Sequence, residues 1–268
     1  MTGVTGRIGK AAATTLFASA VGGAALLAGD AIAARSRRYA KPTMGLALRT
    51  SMGPSSAPTL RLVLLGDSAA IGVGVEWLSE TVGGQLARLL AEGTPETGPR
   101  HVLLSSVGVA GSRSVDLGTQ VARALLGDRP DVALVLIGAN DATGLRNAED
   151  SAELLGKAVR RLHDAGVQVV VGTCPDLGAS RSIAQPLRQV TGWVGRRMAK
   201  AQALAVTDAG GAVVDLGEET GAVFRADAGT LCYDGFHPSA DGYRVWALAL
   251  YPAVFEAAQA AGRRSTQE

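Results

Sequence analysis

The chain has 268 residues, 47% of them hydrophobic and only 4% aromatic, which suits one large domain with a core of Ala, Val and Leu. The net charge of +2 misleads until it is divided: the first 60 residues hold seven Lys/Arg and a single acid, Asp30, while the remainder carries more acids than bases. Basic charge therefore flanks one apolar stretch and forms no phosphate-binding face, so nucleic-acid binding is excluded.

That stretch, AAATTLFASAVGGAALLAG from Ala11 to Gly29, is uncharged over 19 residues, close to the ~20 that cross a bilayer. Arg7 and Lys10 precede it, and Ala31-Ile32-Ala33 forms a small-residue cleavage pattern. Residues 1–34 are expected to be a signal peptide or N-terminal membrane anchor, with membrane association through residues 11–29 and an exported body. The Pro-, Ser- and Gly-rich residues that follow predict a linker over 35–59. The folded domain is expected over 60–268.

From Leu60 the chain alternates. Apolar runs at 60–66, 101–107, 132–138, 167–173 and, more weakly, 211–216 predict five strands. Helical patterns lie between and after them, at about 79–92, 114–127, 149–165, 182–206 and 239–260. Continuous apolar strands separated by amphipathic helices predict an α/β fold, a three-layer α/β/α sandwich around a central parallel five-stranded sheet. Ligands of such sheets bind at the carboxyl ends of the strands. Those ends are Gly66-Asp67-Ser68, Val107–Ser112, Gly138–Asp141, Cys174–Gly178, and a long loop closing with Cys232–Ser239.

A serine nucleophile needs a base within hydrogen-bond reach, and only three histidines are available. His101 starts the second strand, at the wrong edge of the sheet, and His163 falls late in a helix. His237 lies on the final loop at the correct edge, three residues after Asp234. That spacing lets the Asp234 carboxylate hold Nδ1–H and leave Nε2 to take the Ser68 proton. Pro238 biases His237 to an extended backbone, and Ser239 is the expected N-cap of the last helix. Acyl transfer builds negative charge on a carbonyl oxygen, and that charge needs waiting donors. The Ser68 N–H, the Gly111 N–H and the Asn140 side-chain amide are the candidates.

These residues resemble the SGNH (GDSL-type) hydrolases. The resemblance rests on Gly66-Asp67-Ser68, Gly111, Gly138-Ala139-Asn140-Asp141 and Asp234-Gly235-Phe236-His237, in the family's order across about residues 60–260. It implies a flavodoxin-like fold, a Ser68–His237–Asp234 triad, an oxyanion hole from Ser68, Gly111 and Asn140, no metal and no organic cofactor. The implied activity is a serine esterase or lipase acting on a small-molecule or lipid ester. A glycan O-acetyl esterase, an acyltransferase or a non-catalytic envelope-binding domain of the same fold are the alternatives. Ala69 stands where the family often has Leu, and Ser106 where many members have Asn, so substrate preference stays open. Cys174 and Cys232 are the only cysteines. Both fall at the same sheet edge, and two readings remain, a disulfide or two separate buried thiols. Trp193 and Trp246 are expected in the core.

Overall fold

The computed structural model describes residues 23, 25–34, 37, 39–41 and 48–265, without the side chains of the last two. Most of the uncharged N-terminal run lies outside the described residues. Its end belongs to a helix, α1 (25–34). Among the described residues no helix is long and apolar enough to cross a membrane.

The body is a six-stranded sheet between two layers of helices. Strands β1 (Arg49–Met52), β2 (Thr59–Gly66), β3 (His101–Ser106), β4 (Val132–Leu136), β5 (Gln168–Gly172) and β6 (Ala212–Val214) are arranged β1-β3-β2-β4-β5-β6. The predicted five parallel strands are all present, in register from Leu62↔Val132 to Gly66↔Leu136 across the central pair. The expectation of five strands is corrected by β1, which pairs antiparallel with β3 inside the segment expected to be linker. Four residues with an alternating exposed and half-buried pattern gave no apolar run to detect.

Helices α2 (Val82–Glu92) and α8 (Ala240–Ser265) cover one face of the sheet. Helices α3 (Leu117–Ala124), α5 (Ala148–Asp164) and α6 (Leu187–Asp208) cover the other. Side chains on a strand alternate between faces, so β2 feeds both layers. Leu62 and Leu64 pack with Leu86, Leu134 and Leu250, whereas Val63 and Leu65 pack with Val121, Val135 and Leu155. Truncating such a buried Leu to Ala typically costs about 2–5 kcal/mol. The short helix α4 (Ala139–Thr143) starts just beyond β4, and α7 (Leu216–Ala226) occupies part of what was expected to be one long loop. Asp215 caps α7 by accepting from Glu218 N–H at 3.0 Å, a local signal available in the sequence.

The chain runs from β2 outward to β3, then returns past β2 to β4. This reversal leaves a crevice beyond the carboxyl ends of β2 and β4, the place where open α/β sheets bind ligands. Gly66 ends β2 at φ +133°, and a Cβ there would stand 1.8 Å from the Leu136 carbonyl oxygen, so only glycine lets the two strands stay paired at the crevice.

Candidate active site

Immediately after β2, Ser68 adopts helical backbone angles and a single 3-10 turn, Ala69–Ile71, follows. The turn is fastened from several sides. Asp67 Oδ1 accepts from Ala69 N–H at 3.0 Å, and Ser106 Oγ donates to the Ala70 carbonyl at 2.9 Å. Ser106 thus ties the β3 exit to the turn that follows Ser68. Tyr243 of α8 adds a bond from its hydroxyl to the Val73 carbonyl at 2.7 Å.

The loop between α7 and α8 closes on itself through an antiparallel bridge, Leu231↔Pro238, with Cys232 N–H donating to the His237 carbonyl at 2.8 Å. Ser239 caps α8 as expected, its Oγ accepting from Gly242 N–H at 3.2 Å. His237 is thereby fixed between a bridged backbone and a helix start.

The structure brings Ser68, His237 and Asp234 into one hydrogen-bonded line. His237 Nε2 lies 3.1 Å from Ser68 Oγ, and Nδ1 lies 2.6 Å from Asp234 Oδ2. Asp234 Oδ1 accepts from the N–H groups of Phe236 at 2.8 Å and His237 at 2.9 Å. Burial pushes the Asp234 carboxyl upward, but the bonds from His237, Ala40 and Phe236 outweigh it and hold the group well below the usual carboxylate range. His101 opens β3 and His163 lies near the end of α5, so neither joins the line.

Gly111 and Asn140 line the same cleft as Ser68 and His237. Gly111 is exposed with φ +81°, and no protein atom occupies the space where a Cβ would stand. Asn140 Nδ2 donates to the Ser112 carbonyl at 3.0 Å and reaches Asp67 Oδ2 only at 3.5 Å. Its neighbour Asp141 has a supporting place: its carboxylate accepts from the Ser114 N–H at 3.0 Å, the Ser114 hydroxyl at 3.1 Å and the Ser151 hydroxyl at 3.2 Å. The β3–α3 loop carrying Gly111 is thereby tied to α4.

Two buried glutamines that sequence reasoning passed over brace the strand ends. Gln120 accepts from Gly66 N–H at 2.7 Å and donates to the Gly66 carbonyl at 2.9 Å. Gln202 donates to the Ile137 carbonyl at 2.9 Å and accepts from Cys174 N–H at 2.8 Å. Each sits on an otherwise apolar helical stripe, Leu117/Val121/Ala124 and Met198/Val206, and a lone amide on such a stripe was the available signal.

The disulfide reading is corrected, because both cysteines are free. Cys174 packs into an apolar cluster with Ala142, Leu177 and Met198, while Cys232 Sγ donates to Asp234 Oδ1 at 3.2 Å. Burial pushes the Cys174 thiol far up and that of Cys232 to about 11, so both stay protonated near neutrality. Trp246 is buried as expected, but Trp193 is 57% exposed on the outer face of α6.

Residues 64–245 match the model of the GDSL-like lipase/acylhydrolase family. The chain is 42% identical over 200 residues to the GDSL-like esterase Rv1075c of Mycobacterium tuberculosis, an alignment covering 74% of this chain and 62% of that protein. The fold is similar to LAE5, an alpha/beta hydrolase enzyme from the metagenome of Lake Arreo, with TM-score 0.56 and 21% identity over 74% of this chain and 95% of the other. It is also similar to a catalytic mutant of Axe2, an acetylxylan esterase from Geobacillus stearothermophilus, with TM-score 0.54 and 18% identity over 76% and 95% of the two chains. With its motif blocks collected at one sheet edge and the family model spanning most of its body, the chain belongs to the GDSL-like lipase/acylhydrolase family.

Proposed function

We propose that this protein is a serine esterase that hydrolyses carboxylic esters through an acyl-enzyme. The observation that carries the reading is the line Ser68 Oγ–His237 Nε2 at 3.1 Å and His237 Nδ1–Asp234 Oδ2 at 2.6 Å. The name of the Mycobacterium tuberculosis relative, an esterase, points the same way.

In this mechanism Ser68 Oγ bonds to the ester carbonyl carbon as its proton passes to His237 Nε2. Asp234, held ionised by its donors, keeps Nδ1–H in place and stabilises the imidazolium. The carbonyl oxygen becomes an oxyanion and takes bonds from the N–H groups of Ser68 and Gly111 and from Asn140. The second N–H of Asn140, whose protein partner lies as far as 3.5 Å, is the one offered. The C–O bond to the alcohol then breaks and the alcohol departs with the His237 proton. Water enters, loses a proton to the same nitrogen and attacks the acyl carbon. The acid leaves as the proton returns to Ser68.

The substrate class proposed is an ester with an apolar arm. An apolar pocket lined by Ile137, Leu216, Phe224, Phe236 and Trp246 adjoins Ser68 and His237. The test is a panel of p-nitrophenyl esters of graded chain length. Ser68→Ala is expected to lower kcat by about 10⁴-fold or more, since removing a triad member leaves only the binding and oxyanion contributions. Equal turnover by the two proteins would end the serine mechanism. Activity confined to acetyl esters would replace the apolar-arm reading with a deacetylase.

A further inference from the structure

We propose that Tyr39 and Ala40, which precede the matched family domain, are positioning residues of the active site: a strap that aims the Asp234 carboxylate and packs the His237 ring. This rests on the esterase reading above.

The first observation is a single bond spanning 194 positions in sequence. Ala40 N–H donates to Asp234 Oδ2 at 2.8 Å, the same oxygen that stands 2.6 Å from His237 Nδ1. Among the described residues every other donor to this carboxylate comes from its own loop: Cys232, Phe236 and the His237 backbone on Oδ1, and His237 Nδ1 on Oδ2. Without Ala40, Oδ2 would have His237 as its only donor among the described residues. The Asp234 side chain is 1% exposed, so water would not readily make up the loss. A buried carboxylate needs each oxygen satisfied, and bonds to an ionised acceptor are the strong ones. One fixed donor on Oδ2 also restricts rotation of the carboxylate, and so fixes the direction in which the imidazole is held.

The second observation concerns the neighbouring ring. Tyr39 stands edge-on to Phe236, with centroids 5.5 Å apart, and to His237, with centroids 6.4 Å apart and planes crossed at 82°. Its hydroxyl donates to the Ala34 carbonyl at 2.9 Å, which ties the ring to the last turn of α1. Leu27, Ala31 and Ala34 of that helix line the same cleft as Ser68 and Gly111. Tyr39 therefore joins the acid–base loop to a cleft wall that the family domain does not itself supply. A cut after Ala33 would leave both strap residues on the hydrolase.

The test uses the full chain and a short p-nitrophenyl ester. Ala40→Pro removes the N–H. It is expected to lower kcat about tenfold, as for one lost bond to a charged group, and to leave KM within about twofold. Ala40→Gly, which restores the N–H, should recover most of that loss. Replacing the amide of residue 40 by a backbone ester deletes the same N–H with no change of ring or side chain, and answers the question if the proline variant does not fold. The ¹H resonance of His237 Nδ1–H supplies a readout that needs no turnover: it should move in the backbone-ester protein. A backbone-ester protein with wild-type kcat and an unmoved resonance would overturn the proposal. So would a loss in Ala40→Gly as large as in Ala40→Pro. Failure of the esterase reading is a different result, equal rates for wild type and Ser68→Ala.

Discussion

The two ends of the site each carry a buried aspartate, and their surroundings treat them oppositely. Asp67, in the turn after β2, is 4% exposed and receives a close bond from Ala69 N–H, with the Asn140 amide more distant at 3.5 Å. Burial dominates there and raises its pKa to about 6. Asp234, in the loop before α8, is 9% exposed but accepts from His237 on one oxygen and from its own loop on the other, with Ala40 added. Its donors outweigh burial, and it stays ionised far into acid. The two carboxyls are displaced in opposite directions because desolvation weighs most on Asp67, whereas several donors face Asp234 and outweigh its burial. In the proposed mechanism the difference separates two roles: Asp234 supplies the charge that faces the imidazolium, while Asp67 braces the turn that carries Ser68.

The largest effect should come from neutralising the ionised member. Asp234→Asn is expected to lower kcat by about 10⁴-fold, because an amide favours the wrong imidazole tautomer while preserving shape. Steady-state kinetics of that variant measure it. A loss below about tenfold would mean that the charge does little and that the contrast between the two aspartates has no catalytic meaning.

Asp67 sharpens the other half of the comparison through stability. Its carboxyl stays protonated to about pH 6 in the folded protein, but only to about pH 4 in the unfolded chain. A raised folded-state pKa gives stability that is complete in acid and fades as pH rises through this window. Relative to Asp67→Asn, the wild type should therefore lose about 2–3 kcal/mol between about pH 4 and pH 7.5. Urea unfolding of both proteins across that range is the measurement. Parallel curves would show Asp67 ionising without penalty and would remove the distinction.

The smallest effect concerns the thiol on Asp234. Cys232 Sγ supplies one of three donors to Oδ1, and the weakest in kind. Cys232→Ala should change kcat by no more than about threefold, since the two backbone donors remain. A loss approaching that of Asp234→Asn would mean that the backbone bonds do not hold the carboxylate. Thiol titration of the unfolded, unreduced protein should also find both cysteines reactive, as their separate partners require.

Much of the site is legible in the sequence. Ser68, His237 and Asp234 were selected by strand-end position and by elimination among three histidines, and the structure brings them within bonding distance. Asn140 and Gly111 fall on the same cleft. The disulfide did not follow from that logic. Sharing an edge places backbones together, whereas a bridge depends on which way two side chains turn, and Cys174 turns into an apolar cluster. The core reading of Trp193 failed for a similar reason. Its helix has exposed residues on much of its circumference, so hydrophobicity alone did not tell which face looks inward.

By itself the sequence determined the five-strand parallel body, its two apolar layers and the edge where chemistry gathers. Strand periodicity and turn residues are local properties, written within a few positions of one another. Only the tertiary structure decided what comes from far away: the antiparallel strand Arg49–Met52, the glutamine braces on Gly66 and Ile137, and the Ala40 N–H on Asp234. Each is a backbone or amide contact between segments with no periodic pattern of their own. A backbone N–H is offered by every residue except proline, so no residue type can announce it, and only the path of the folded chain delivers it.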